Sequence, residues 1–473
     1  MSEPRCAGPI PGEPFLMLGG FELAASGYRG EEWRVSGRAR RYAPLGELGE
    51  DGDWHARADG EADFTTRIVL RRPLDPARFD GTVFVEWLNV SGGVDAAPGW
   101  LFAHRHLMRE GSVWVGVSAQ KAGIDGGGLV PGMPLKQADP ERYRHLVHPG
   151  DAFAYDVFAT VGRTLRERGG PLADLAVERV IALGESQSAG FLVTYVNALD
   201  PLDRCFDAFL IHGRPGSAAG LDGFYLRASE VGELSNVSRL MRQAHRVREQ
   251  PRVPVLVLQS ETDVVSLGGG RARQPDSEHF RLWEVAGAAH FDTYGLLASL
   301  SDDGRMPIEE LAARLAPTDS PMGLRADAPI NAGPQQHYLV QSALFHLDRQ
   351  ARGGPPPPRA PRLESEDALG SALLCDSQGI VRGGLRTPWV DAPSARLSGL
   401  GQTGEGFLFL FGTTHAFEPA TLAQLYPGGP DEHRERFEKS LAASLDAGHL
   451  LADDASEIRA LVQHGRQPSG WRL

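Results

Sequence analysis

Residues 181–190 read IALGESQSAG, an apolar strand that runs into a serine set among small residues and then into a helical pattern. A strand that turns this sharply into a helix forces the serine at the turn into a strained conformation and lifts its Oγ out of the sheet. The neighbours must be small so that strand and helix can pack closely, and Gly184 and Ser188 flank Ser186 at two residues on either side. Glycine is usual in both flanking places, so Ser188 is a departure. The stretch predicts a nucleophilic serine at position 186.

The sequence around this stretch alternates between short apolar runs and segments of helical periodicity from residue 81 onward. This alternation is typical of a mostly parallel central sheet with helices on both faces, in which strands are continuous apolar runs because both faces are buried. The predicted strands are Val83–Leu88, Val113–Val117, Arg179–Leu183, Phe206–Ile211, Val255–Leu258 and Phe280–Val285. The predicted helices are 98–110, 152–167, 187–199 and 334–351. The fold class is therefore α/β.

The first 80 residues differ, because their β-prone runs are short and are separated by Gly, Asp and Pro. Glu32–Val35 and Phe64–Leu70 are two such runs. They predict an antiparallel edge ahead of the parallel sheet.

The length of the chain predicts one large domain with additions, because 473 residues exceed the usual size of a compact domain. We assign residues 1–352 to the α/β domain, including a polar insertion at 213–252 that has no strand and that we interpret as a lid. Residues 353–358 predict a stiff linker. Residues 363–473 form a C-terminal extension that we expect to pack on the same module, with a charged amphipathic helix near 431–447.

Charge and cysteine content argue against several classes of partner. A net charge of -13 without a clustered basic face predicts no nucleic-acid partner. Cys6, Cys205 and Cys375 are far apart, which fits a reducing compartment. The amino terminus lacks a basic region followed by an apolar core, and no run of about 18 apolar residues occurs. We therefore expect a cytoplasmic protein that does not bind membranes.

Two further residues are needed to activate a serine. Its hydroxyl needs a histidine to take the proton and an acid to hold the tautomer of that histidine. In parallel sheets with a serine turn these follow in the order serine, acid, histidine, each just after a late strand. Here the run QSETD at 259–263 ends one strand and His290 follows the next. The sequence therefore predicts a triad of Ser186, an acid in this run and His290.

The identity of the acid is open between two residues. Asp263 stands three residues after Ser260, where related sheets often have Gly-x-x-Asp, whereas Glu261 is nearer the strand end and has a longer reach. We favour Asp263, with Glu261 as the alternative, because spacing alone does not define the turn geometry.

Acyl transfer also requires hydrogen-bond donors for the oxyanion that forms on the attacked carbonyl. The backbone N–H of Gln187, first in the helix after the nucleophile, is one candidate, and the helix dipole adds to it. The second donor loop is expected after the strand that ends near Leu88, where the sequence reads NVSGG at 89–93. We predict the amide of Val90 or Ser91 as the second donor.

The histidine pattern indicates no metal site. His104 and His106 stand two residues apart on a predicted helix and so point in different directions. No His-Glu-x-x-His spacing occurs. We expect neither a catalytic metal nor a cofactor.

The same segments resemble a known family, the bacterial α/β-hydrolase-domain proteins, whose marks are WLNVSGG, GESQSAG, a QSETD-like acid loop and RLWEVAGAAH. In this chain they stand at residues 87–93, 184–190, 259–263 and 281–290. The resemblance covers most of the chain, including Pro329–Asn331 and the region around Leu385–Pro388. It implies an α/β-hydrolase fold with Ser186, the acid loop and His290 as catalytic positions, and a hydrolase whose ester it does not name.

We interpret the chain as a serine hydrolase that cleaves a carboxylic ester, lactone or related acyl compound through an acyl-enzyme on Ser186, with His290 as base and then acid. The expected partner is a small-molecule acyl substrate. An acyltransferase with the same triad is the alternative, since the two differ only in what excludes water. A non-catalytic binding protein on this fold would usually lack a triad member, and here all three are present.

Overall fold

The computed structural model describes residues 4–127, 131–224, 244–403 and 406–464. The strands in this part of the chain are β1 Arg5–Ala7, β2 Tyr28–Pro44, β3 Ala56–Pro73, β4 Thr82–Trp87, β5 Val113–Val117, β6 Arg179–Glu185, β7 Ala208–His212, β8 Val255–Ser260, β9 Phe280–Val285, β10 Ala395–Ser398 and β11 Thr413–Ala416. Nine of them form one sheet in the order β1-β2-β3-β5-β4-β6-β7-β8-β9, and β10 pairs with β11.

The strands from β4 to β9 run parallel to one another. The prediction of a mostly parallel sheet is therefore confirmed. The chain passes from β4 to β5 on one side and then returns across β4 to β6 on the other. Ligand sites of open parallel sheets lie at the carboxyl ends of the strands beside such a reversal. A site is therefore expected where β4 and β6 end.

The predicted antiparallel edge is present, but its strands are longer than predicted. In place of short runs at 32–35 and 64–70, β2 and β3 are 17 and 18 residues long and pair along most of their length. Glycines lie inside these strands and do not separate them. Gly37 is opposite Phe64, and a Cβ on Gly37 would be 3.3 Å from the Phe64 ring. The glycine makes room for the aromatic ring instead of ending the strand.

Helices cover both faces of the sheet. The α-helices of the described residues are α1 Pro98–Glu110, α2 Lys121–Asp125, α3 Leu135–Ala138, α4 Pro140–Tyr143, α5 Ala154–Thr164, α6 Gln187–Thr194, α7 Asp200–Asp203, α8 Glu261–Val265, α9 Ile308–Arg314, α10 Gln335–Ala351, α11 Pro388–Asp391, α12 Pro419–Leu425, α13 Pro430–Asp446 and α14 Ala455–His464. The 3₁₀-helices are Leu23–Ser26, Pro76–Arg78, Asp151–Phe153, Gly269–Ala272, Pro321–Gly323, Leu408–Leu410 and Ala452–Asp454, and π-helical turns span Tyr195–Leu199 and Tyr294–Ala298. None of the helices described has the length and apolar character needed to cross a membrane.

The core lies in two layers, one on each side of the sheet. Successive side chains of a strand point to opposite faces, and β4 shows this division. Val83, Val85 and Trp87 pack with α5 and α6, whereas Phe84 and the following Leu88 pack with α1 and α10. Because both faces are buried, the parallel strands are mostly apolar, and packing on both sides holds their carboxyl ends in place.

The C-terminal extension packs on the same sheet. The N–H of Leu385 donates to the carbonyl of Glu284 at 2.7 Å, and the N–H of Ala286 donates to the carbonyl of Leu385 at 3.1 Å. Phe437 of α13 and Ile458 of α14 belong to the same buried cluster as α1 and α10. The extension therefore contributes both to the sheet edge and to one helical layer.

The predicted lid at 213–252 is described only at its two ends, because residues 225–243 lie outside the described residues. Neither described end contains a helix or a strand. The N–H of His245 donates to the carbonyl of Gly216 at 2.9 Å, so the two ends lie side by side. The lid stays a prediction.

Candidate active site

Ser186 forms the turn between β6 and α6 by itself. Its backbone has φ 60° and ψ -116°, a combination that costs a residue with a side chain about 1–3 kcal/mol and persists only where the surroundings enforce it. The N–H of Ser186 donates to the carbonyl of His212 at 2.9 Å. Under the turn, a Cβ on Gly184 would be 3.1 Å from backbone of Ser188 and 3.0 Å from Leu192. The glycine thus permits the close approach of helix to strand that creates the turn.

Ser188 occupies the place where a second glycine is usual. It is completely buried, and its Oγ has no hydrogen-bond partner among the described residues. Its side chain therefore fits between strand and helix without contributing a polar contact. The structure offers no chemical role for this hydroxyl.

Asp263 and His290 lie against each other at the ends of β8 and β9. Asp263 is the third residue of α8, where its Oδ2 accepts the N–H of Ser260 at 2.6 Å and the hydroxyl of Ser260 caps the helix. Its other oxygen, Oδ1, is 2.5 Å from Nδ1 of His290. The hydroxyl of Thr262 accepts the N–H of His290 at 3.1 Å. The helix cap therefore fixes the carboxylate, and the carboxylate fixes the imidazole.

Glu261 lies elsewhere, bound to two loops. Its Oε1 accepts the N–H of Gly287 at 2.6 Å, and its Oε2 accepts the N–H of Gly399 at 2.8 Å and the hydroxyl of Ser398 at 2.9 Å. Burial raises the pKa of Glu261 to about 7 in spite of these three donors. Asp263, and not Glu261, is therefore the carboxylate in contact with His290. Glu261 instead connects the C-terminal extension to the loop after β9.

A second carboxylate, which the sequence did not single out, faces the other nitrogen of His290. Oε1 of Glu185 is 3.1 Å from Nε2 of His290. Burial, the strongest influence, disfavours the imidazolium, but the carboxylates of Asp263 and Glu185 outweigh it and raise the pKa of His290 to about 10. Ser186 Oγ makes no hydrogen bond with any described residue. In the structure, then, Nε2 is paired with Glu185 and not with the serine.

The predicted oxyanion donors lie at the ends of β4 and β6. Gln187 is the first residue of α6, so its N–H has no acceptor within the helix. In the loop after β4, the N–H of Ser91 donates to Oδ1 of Asn89 at 2.8 Å, whereas the N–H of Val90 has no acceptor in the described part of the chain. Of the two amides predicted in this loop, that of Val90 is the one left unoccupied.

Two buried polar residues to which the sequence gave no role, Gln336 and Asn331, hold the loop of His290. The side-chain N–H of Gln336 on α10 donates to the carbonyl of Ala289 at 2.5 Å, and its Oε1 accepts the Nε2–H of His212 at 2.9 Å. The amide of Asn331 donates to the carbonyl of Gly287 at 2.9 Å. Only the run Pro329–Asn331 gave a signal in the sequence, and it carried no role.

The site combines a strained serine, a carboxylate-bound histidine and unoccupied backbone amides at one edge of the sheet. Such a set can deprotonate a hydroxyl and receive negative charge on a carbonyl oxygen. Within the ranges that the structure describes, no three His, Cys, Asp or Glu side chains are grouped as the ligands of a metal ion.

Comparison with known proteins gives a family match over most of the chain. The sequence model of the family described as "Alpha/beta hydrolase domain" matches residues 3–460. A comparison with curated proteins finds no match.

Solved structures to which the chain is similar include esterases and a hydrolase. One, from work on two fungal esterases from Rhizomucor miehei, is 12% identical, with 48% of this chain and 66% of that chain covered and a TM-score of 0.25. A putative dienelactone hydrolase from Klebsiella pneumoniae subsp. pneumoniae is 14% identical, with 48% and 73% covered and a TM-score of 0.23. A thermostable esterase from Pseudomonas putida is 14% identical, with 51% and 66% covered and a TM-score of 0.26. The matched region is thus about two thirds of the length of the two esterases.

Proposed function

We propose that this chain, which belongs to the alpha/beta hydrolase domain family, is a serine hydrolase that cleaves a carboxylic ester, lactone or related acyl compound. The observation that carries the proposal is the strained backbone of Ser186, at φ 60° and ψ -116°, at the same sheet edge as the His290–Asp263 pair. Strain of this kind is kept where function requires it.

In the proposed reaction, Asp263 holds Nδ1–H of His290, which leaves Nε2 to take the proton of Ser186 Oγ. Oγ then forms a bond to the carbonyl carbon of the substrate, and the carbonyl electron pair moves onto oxygen. The amides of Val90 and Gln187 would receive this oxyanion. Donors of this type contribute roughly 3–4 kcal/mol each to lowering the barrier.

The second half of the reaction reverses these roles. The imidazolium gives its proton to the leaving alkoxide, the carbon–oxygen bond breaks, and an acyl group remains on Ser186. Water then attacks the acyl-enzyme with His290 as base, and the acid leaves with the serine restored. Every proton transfer in this sequence passes through Nε2 of His290.

Covalent labelling by a fluorophosphonate tests the proposal by comparing substitutions of two neighbouring serines, Ser186 and Ser188. We expect the wild type to label covalently and Ser186→Ala to lose labelling and the hydrolysis of a chain-length series of aryl esters. Ser188→Ala is the control, because its hydroxyl is buried and has no partner among the described residues, so it should label as the wild type does. A folded wild type that neither labels nor hydrolyses any ester would refute the proposal.

A further inference from the structure

Glu185 is tied to both halves of the site. Its carboxylate lies 3.1 Å from Nε2 of His290, and the side chains of both residues are at most 5% exposed. The amide of Asn89 donates to the backbone carbonyl of Glu185 at 3.0 Å and to its Oε2 at 3.2 Å. Asn89 also holds the N–H of Ser91 in the loop after β4. The carboxylate therefore joins the loop of the unoccupied Val90 amide to the imidazole.

The pair is closed in by close packing. A Cβ on Gly213 would be 3.1 Å from Cε1 of His290 and 3.5 Å from Oε1 of Glu185. Gly213 has φ 60°, a conformation that glycine adopts without strain. The backbone after β7 thus lies directly on the ring and the carboxylate, which keeps the pair in place.

We infer that Glu185 is a positioning residue for His290: its carboxylate holds Nε2 of the resting imidazolium, so that Ser186 gains its base only after that pair releases a proton to solvent. The inference rests on the proposed function. A triad contains a serine, a histidine and one acid. Glu185 is a second acid, and its carboxylate faces Nε2 of His290, the same nitrogen that must take the proton of Ser186.

Among the described residues, the carboxylates that contact the ring nitrogens of His290 are those of Glu185 and Asp263. The other titratable groups near the ring have partners of their own. From β7, His212 is buried, its pKa is lowered by burial, and it is bonded to Gln336. On the loop of His290, Asp292 accepts the N–H of Gly295, and burial raises its pKa to about 7. The two side chains of α8 and α10 that bond to the backbone of Ala289 and His290 are those of Thr262 and Gln336, and both are uncharged.

The proton balance follows from this arrangement. Protonated His290 has its Nδ1–H on Asp263, and its Nε2–H faces Oε1 of Glu185 in an ion-pair contact at 3.1 Å that does not have hydrogen-bond geometry, so Nε2 has no lone pair for the serine. Loss of the Nε2 proton to water gives a neutral ring with Nδ1–H still on Asp263. The pKa of about 10 for His290 places this loss in the alkaline range. The rate of attack by Ser186 should therefore rise with pH up to that value.

The experiment measures the rate of fluorophosphonate labelling from pH 5 to pH 10.5 for the wild type, Glu185→Gln and Glu178→Gln. We expect the wild-type rate to rise with a midpoint well above the value of about 6.5 for free histidine. In Glu185→Gln the midpoint should fall by roughly 1–3 pH units, the effect of removing one opposite charge at this distance. Glu178→Gln makes the same change of charge at a carboxylate that is 62% exposed, and its midpoint should equal that of the wild type.

Each outcome is decisive. Equal midpoints in the wild type and folded Glu185→Gln overturn the inference, even if the variant labels more slowly at every pH. A wild-type midpoint near 6.5 overturns it without any variant, which keeps the test valid if Glu185→Gln does not fold. A folded wild type that labels at no pH refutes the proposed function instead. Labelling with a shifted midpoint supports both.

Discussion

Single side chains decide the chemistry, and the identity of the acid is the sharpest case. Asp263→Asn would place an amide N–H or a neutral oxygen against Nδ1 of His290, in place of the carboxylate at 2.5 Å. The imidazole would then lose the tautomer that leaves Nε2 free, which in serine proteases costs about 10⁴-fold in kcat. We expect a loss of that order in ester hydrolysis, measured as kcat at saturating substrate.

Glu261→Gln is the matched control for this prediction. Its carboxylate accepts three hydrogen bonds from Gly287, Ser398 and Gly399, and an amide can replace them only in part. A buried donor left without an acceptor costs about 1–3 kcal/mol. The variant should therefore unfold at lower urea concentration while it keeps most of its kcat. Equal losses of kcat in the two variants would contradict the assignment of Asp263.

The sequence could predict that Ser186, the acid run and His290 lie at the ends of successive strands, because each follows an apolar run in the order of the chain. It could not identify Glu185. That residue is the last of β6, and the strained turn, not the spacing, directs its side chain toward His290. Asn89 was similarly visible in a loop but without a role, since its contact with Glu185 joins residues 96 positions apart.

At the level of elements, the loop after β4 depends on a buried ion pair. Arg67 of β3 donates to Asp95 at 2.7 Å and to Glu32 at 3.0 Å, and all three side chains are fully buried. Asp95 also accepts the hydroxyl of Ser118. The segment that begins with Asn89 and Val90 is therefore fixed at its far end by Asp95. The position of the loop at residues 89–96 therefore depends on charged residues of β2 and β3, Glu32 and Arg67.

Asp95→Asn tests this dependence. Glu32 also pairs with Arg142, so removing the charge of Asp95 leaves one positive charge of this buried network uncompensated. Such a loss costs about 3–5 kcal/mol, and we expect the free energy of unfolding in urea to fall by that amount. We also expect kcat to fall at a temperature where the variant is folded, because the Val90 amide would lose its fixed place. The control is Glu310→Gln, whose pair with Arg314 is half-exposed and worth at most about 1 kcal/mol. A stable Asp95→Asn enzyme with full kcat would show that the loop holds itself.

The elements that sequence predicted best are those whose surroundings are uniform. Strands β5 and β9 and helix α1 have the predicted bounds. Each is largely buried, so its apolar pattern begins and ends clearly in the sequence. Strands β2 and β3 were predicted too short. Their length comes from pairing with each other over glycines and polar residues, and a single sequence does not reveal which partner a strand will find.

For the whole molecule, the question is whether the C-terminal extension folds as part of the α/β domain. Leu385 extends the sheet beside β9 through two backbone hydrogen bonds, at 2.7 and 3.1 Å. Gly399 binds the acid loop through Glu261. The helices of the extension share one buried cluster with α1 and α10. These contacts lie within a few residues of Asp263 and His290, so loss of the extension would disturb the site itself.

Leu385→Ala distinguishes one cooperative unit from two. Leu385 is only 1% exposed, and truncating a buried leucine to alanine lowers the free energy of unfolding by about 2–5 kcal/mol. If the chain is one unit, far-ultraviolet circular dichroism and fluorophosphonate labelling should be lost together in urea, at a midpoint lower than that of the wild type. Leu369→Ala, at a residue that is 45% exposed, should leave that midpoint nearly unchanged. An extension that melts early in Leu385→Ala while labelling persists to the wild-type midpoint would instead show that the α/β domain holds the active site without it.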